Sequence, residues 1–160
     1  YFNNKIDPFL SIYRENCLHT SGLTVKKSIL YQAGLFDNIL PSAQDYDLWL
    51  RLGMINGIRM GFIEDPLSTH INREGNISSN VETRLQCMLE ISRKYYAELK
   101  KVSKVPKMEK TRFEGRIYSS VGLKLLRRKD ITKGICYLLF GLLKWPFRYD
   151  WIRRIVIKTK

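Results

Sequence analysis

The sequence predicts an α/β fold over residues 1–80 followed by a basic helical tail over residues 81–160. Three observations carry that expectation. Short β-leaning runs, Gly22-Leu23-Thr24-Val25 and residues 58–63, alternate with helical segments in the first half. Apolar residues recur at helical spacing through the second half. Charge divides at the same place. Residues 1–80 carry 7 Lys+Arg against 8 Asp+Glu and residues 81–160 carry 21 against 7, so the net charge of +13 belongs to the second half.

Taken in order, residues 17–25 end in the first β-leaning run. Residues 26–33 read as a short helix stopped by Gly34. Residues 35–41 are loop. Ser42-Ala43-Gln44-Asp45 fits a capping box, with Ser42 as N-cap, and opens a helix to about Ile55. Asn56-Gly57 breaks it; residues 58–63 and 67–71 read as strands, and residues 72–80 as polar loop. Val81, Leu85, Met88, Tyr95, Leu99 and Val102 then mark a long helix. A basic connector containing Pro106 follows, then a helix marked by Phe113, Ile117, Val121 and Leu125. Asp130 caps a further helix from Ile131 to Lys144, and residues 151–157 form a last basic-aromatic segment.

The chain has 160 residues, enough for one domain with a core. Hydrophobic content of 44% against 27% charged excludes a disordered polyelectrolyte. Cys17, Cys87 and Cys136 are odd in number and lack CxxC spacing, which argues against a zinc site or a disulfide framework. They read as free thiols in a reducing compartment. The chain opens on Tyr1-Phe2-Asn3-Asn4, with no initiator Met and no signal peptide, so the expectation is a piece of a longer protein whose N-terminal part precedes Tyr1. The apolar run 135–143 falls short of the about 20 residues a bilayer span requires.

A half with net charge +14 seeks an anionic partner. Aromatics interleave with the charges in Tyr95-Tyr96 and Trp145-Pro146-Phe147-Arg148-Tyr149. Such pairs suit the headgroup layer of an anionic membrane surface. A plain solvated face is the second reading. Nucleic acid ranks last, because no recognised nucleic-acid motif is present.

The chemistry-bearing candidates are Asp45 and Asp47. Both sit in a first helical turn, where the macrodipole favours carboxylates for purely structural reasons. A carboxylate held there by a rigid helix also suits a general base, worth roughly 10²–10⁴-fold in rate. Asp45-Tyr46-Asp47 by itself offers too few oxygens for a hard cation.

Ala33-Gly34-Leu35-Phe36-Asp37, followed by Gln44-Asp45-Tyr46-Asp47-Leu48-Trp49-Leu50-Arg51, resembles the acceptor-side segment of family 2 glycosyltransferases of the GT-A fold. Residues 16–22 and 25–30, Ile63-Glu64-Asp65-Pro66-Leu67 and Asn76-Ile77-Ser78 extend the resemblance over residues 9–80. Two departures stand out: Gln44 replaces a Glu and Leu35 a Gly. The resemblance implies that residues 1–80 are the acceptor-side part of a GT-A domain whose nucleotide-binding half is absent. It implies inverting transfer of a sugar from a nucleotide-diphosphate donor to a glycan or lipid-linked acceptor, with Asp45 as base. Asp37, Gln44, Asp47, Trp49 and His19 would face the acceptor, although Asp37 reads first as a turn residue and Trp49 first as a core residue. His70 and Arg73 are candidates for the donor phosphates or a metal. A divalent cation, Mg²⁺ or Mn²⁺, would be held mainly by the absent half. The implied location is cytoplasmic, peripheral at the inner face of the cell membrane. The competing expectation is a non-enzymatic basic helical module that binds membrane surfaces or acidic partners.

Overall fold

The computed structural model of the chain describes residues 7–16, 18–61, 63, 65, 80–102 and 107–146. Among them are six α-helices and one 3₁₀ turn: α1 (Pro8–Arg14), the turn Thr20–Gly22, α2 (Lys27–Gln32), α3 (Gln44–Gly53), α4 (Val81–Val102), α5 (Lys107–Arg127) and α6 (Ile131–Lys144). No strand occurs among the described residues, which corrects the α/β expectation. Gly22 closes the 3₁₀ turn, residues 23–26 carry no regular structure, and neither do residues 58–61. A four-residue β-leaning run is a strand only when another strand pairs with it, and none among the described residues does. The expected strand at 67–71 and the segment 151–157 lie outside the described residues. The helices at 26–33, 42–55, 81–102 and 131–144 are present with small shifts at their ends. α5 begins earlier than its apolar stripe suggests.

The chain divides into two compact units, Tyr1–Val105 and Pro106–Lys160, so α4 belongs with the first 80 residues.

In the first unit, Asp7 caps α1 by accepting a hydrogen bond from Phe9 N at 2.9 Å, with Pro8 at the position where its missing N–H costs nothing. Phe9, Ile12 and Tyr13 form the buried face of α1. That face meets α3 so closely that a Cβ on Gly53 would stand 2.9 Å from Phe9 Cα. Along α4, Val81, Leu85, Met88, Ser92, Tyr95 and Leu99 are buried at alternating spacings of four and three. Tyr13 OH lies 3.2 Å from both Ser92 O and Ser92 Oγ, the Phe9 and Tyr95 rings meet edge to face at 6.1 Å, and Tyr46 OH donates to Tyr13 O at 3.1 Å. Three buried tyrosines thus tie α1, α3 and α4 together, each ring filling core while its hydroxyl finds a partner. α2 ends in a Schellman closure: Leu35 N donates to Leu30 O and Gly34 N to Tyr31 O, with Gly34 at φ +86°.

The second unit contains an antiparallel hairpin of α5 and α6. Its turn repeats the Schellman closure with Lys129 in the left-handed region at φ 67°. Asp130 then caps α6, accepting from Lys133 N at 3.3 Å. The helices touch backbone to backbone. A Cβ on Gly122 would lie 2.8 Å from Gly134 O, and one on Gly115 would lie 2.9 Å from Gly141 O. Only glycine permits that approach.

Candidate functional site

The N-terminus of α3 differs from the expected capping box. Ala43 is the N-cap, at φ 61°, and no side chain caps the helix. Ser42 is buried just outside it, and Asp45 takes the second helical position. Asp45 is partly exposed. Its Oδ1 accepts from Tyr46 N at 2.8 Å and its Oδ2 from the Thr20 hydroxyl at 3.3 Å. These contacts tie the start of α3 to the 3₁₀ turn.

Asp47 lies two residues on and is only 1% exposed. Three side chains converge on its carboxylate. Arg51 Nε meets Oδ2 at 2.9 Å, one helical turn on. Lys94 Nζ lies 3.1 Å from Oδ1, and Tyr95 OH donates to Oδ1 at 2.6 Å. Burial pushes the Asp47 carboxyl up, but the hydrogen bonds from Tyr95, Lys94 and Arg51 and the charge of Lys94 outweigh it, so the group titrates below its ordinary value. Burial first, and then the Asp47 carboxylate, push the Tyr95 phenol up. Arg51 carries the network further: its guanidinium donates to Leu35 O at 2.6 Å and to Ala33 O. Those carbonyls end α2, where a Cβ on Gly34 would come within 3.3 Å of the same guanidinium. Asp47 is therefore the point where α2, α3 and α4 are joined.

The remaining candidates are spread out. Gln44 Nε2 donates to Leu40 O at 2.7 Å and braces the preceding loop. Asp37 Oδ1 accepts from Ile39 N at 2.9 Å, an Asx turn. Trp49 is 3% exposed and meets the Phe36 ring edge to face at 6.3 Å; its Nε1 finds no hydrogen-bond partner among the described residues. His19 is exposed and precedes the 3₁₀ turn, its carbonyl accepting from Gly22 N. No hydrogen bond or ion pair among the described residues joins Asp45 to Asp37, Gln44, Trp49 or His19. His70 and Arg73 lie outside the described residues. Among the described residues no three His, Cys, Asp or Glu side chains group as metal ligands. Sequence reasoning missed Arg51, Lys94 and Tyr95. The Asp47–Arg51 spacing signals the first of them.

A second feature lies on the hairpin. Although α6 is mostly apolar, Gly134 and Gly141 are its buried residues. Ile131, Ile135, Leu139, Phe140, Leu142 and Leu143 are exposed, Leu143 by 80%. Tyr118 of α5 stacks on Tyr137 at 6.2 Å and leans on Phe140 at 6.1 Å, extending the apolar surface on one side. α6 has 14 residues, about 21 Å of helix. No helix among the described residues is long and apolar enough to cross a membrane.

Comparison with protein-family models, with curated proteins and with solved structures found no match for this chain. The resemblance to family 2 glycosyltransferases is corrected on that finding and on the fold. A GT-A domain is built on a sheet, whereas the described part of residues 9–80 is helix, turn and loop.

Proposed function

We propose that the second unit attaches this protein peripherally to a membrane surface, with α6 lying in the interface. One observation carries the reading: six large apolar side chains of α6 face outward while two glycines face α5. Contiguous apolar surface of this kind marks an interaction site. A helix of about 21 Å does not reach across roughly 30 Å of hydrocarbon, but it lies well in the plane of the interface. The test is flotation of the full chain with equimolar phosphatidylcholine–phosphatidylglycerol vesicles, beside the double variant Leu139→Gln/Leu143→Gln. Burying each leucine is worth about 1.5–3 kcal/mol, so the variant should partition at least about tenfold less. Failure of the wild type to float, or equal flotation of the variant, overturns the reading.

Sugar transfer with Asp45 as base is the second reading. The observation in its favour is a partly exposed carboxylate anchored in the first turn of α3. Metal-dependent transfer by the protein that collapses in Asp45→Asn would support it, and activity indifferent to that change would end it.

A further inference from the structure

We infer that the hairpin selects anionic phospholipid surfaces and rests on them in one orientation, an inference that depends on the membrane reading above. Residues 107–146 carry ten Lys+Arg against three Asp+Glu. Two of the three acids are held within the hairpin. Glu114 is 7% exposed and engages Lys144 at 2.9 Å and, more loosely, Lys110 at 3.9 Å. Asp130 caps α6 through Lys133 N. Beyond Glu114, Asp130 is the one acid as far as Pro146. Arg127, Arg128 and Lys129 of the turn and Lys133 in the next turn of helix are all exposed. The left-handed Lys129 closes the turn, so these four cations sit together at one end of the apolar face.

Helical geometry sets the orientation. Lys133 and Lys144 are eleven residues apart, about three turns, and so share one edge of α6. The apolar sector lies beside that edge and centres near Leu139, with Ile135 and Leu142 on one side and Leu143 and Phe140 on the other. With Leu139 deepest, Lys133 on that edge and the turn cluster meet the phosphates together, while Lys144 stays on Glu114. The occupant that matches both surfaces is a leaflet with a negative surface potential, as the cytoplasmic leaflet has.

The experiment compares wild-type full chain on pure phosphatidylcholine vesicles with an equimolar phosphatidylcholine–phosphatidylglycerol mixture, at low and at about 1 M salt, where the screening length falls to about 3 Å. Each cation near the surface is worth about fivefold in partition. The variant Arg127→Gln/Arg128→Gln/Lys129→Asn/Lys133→Gln should therefore lose about 10²–10³-fold on the anionic vesicles only. Asn suits the left-handed position, and Lys144 is left to cover Glu114. Equal binding to both vesicles overturns the lipid selectivity while leaving membrane attachment standing. No binding to either overturns both. Retention of duplex DNA that anionic vesicles do not displace overturns the lipid assignment in favour of nucleic acid. Orientation is read with nitroxide labels on single-cysteine forms. A label at residue 139 should be the most shielded from aqueous relaxants and one at residue 120 the least; the reverse order overturns the geometry.

Discussion

The first unit buries a charge, and the second exposes apolar surface. Each runs against the usual sorting of side chains, and such exceptions carry more information than the rule. In the first unit the exception is internally resolved. Asp47 is enclosed, but Arg51, Lys94 and Tyr95 satisfy it, and the result is a junction of three helices. In the second unit the exception points outward. Among the described residues Leu139, Phe140 and Leu143 stay more than half exposed, with Tyr118 leaning on Phe140 from one side, while the hairpin's glycines make the contact between α5 and α6. A satisfied buried charge indicates architecture, and an uncovered apolar face indicates a partner.

The sharpest way to break that contrast is to remove the buried charge. Asp47→Ala leaves the part-buried Arg51 guanidinium and the buried Tyr95 hydroxyl without their carboxylate and should cost about 3–5 kcal/mol, read from denaturant or thermal unfolding. Asp45→Asn, two residues away and partly exposed, should stay within about 1 kcal/mol. Near-equal losses would mean that Asp47 is not the junction. The acid limb of stability gives the same test by another route. The folded pKa of Asp47 lies below its unfolded value near 3.8, so its contribution is fully present above that pH. It is lost as pH falls through the folded pKa. Asp47→Asn should flatten that limb.

How much of this was legible in the sequence depends on whether the signal was local. Asp130 as a cap, the four–three stripe of α4 and the stop at Gly34 are contained within a few residues, and each stands where local chemistry puts it. The strands misled because four β-leaning residues without a partner have no preference strong enough to hold. The roles of Asp45 and Asp47 could not be sorted locally. Lys94 and Tyr95 lie 47 and 48 residues from Asp47, and periodicity shows that α4 has a buried face without showing what it meets. The glycine pairs of the hairpin were visible as spacings of seven, but which pair meets which follows only from the antiparallel turn.

The second unit is tested next, with a smaller expected effect. Gly122→Ala places a Cβ 2.8 Å from Gly134 O and 2.8 Å from Leu138 Cγ, so the helices must separate. Overpacking of this kind costs about 1–3 kcal/mol. Gly61→Ala meets nothing within 4 Å and serves as the control. If both substitutions leave the melting temperature unchanged, the hairpin is not held by its glycine contact, and the outward apolar face loses its structural reason.

The smallest effect is the most discriminating. Leu143 is 80% exposed, so Leu143→Gln removes almost no packing and should shift stability by less than about 0.5 kcal/mol. A core leucine behaves differently: Leu50→Ala, at 0% exposure, should cost about 2–5 kcal/mol. What Leu143→Gln should change is the behaviour of the folded protein, with less self-association at high concentration in sedimentation velocity and weaker partition to vesicles. A substitution silent in the melt but loud in association is what an uncovered binding face predicts. A large loss of stability would instead mean that α6 is covered within the chain, and the contrast between the two units would disappear.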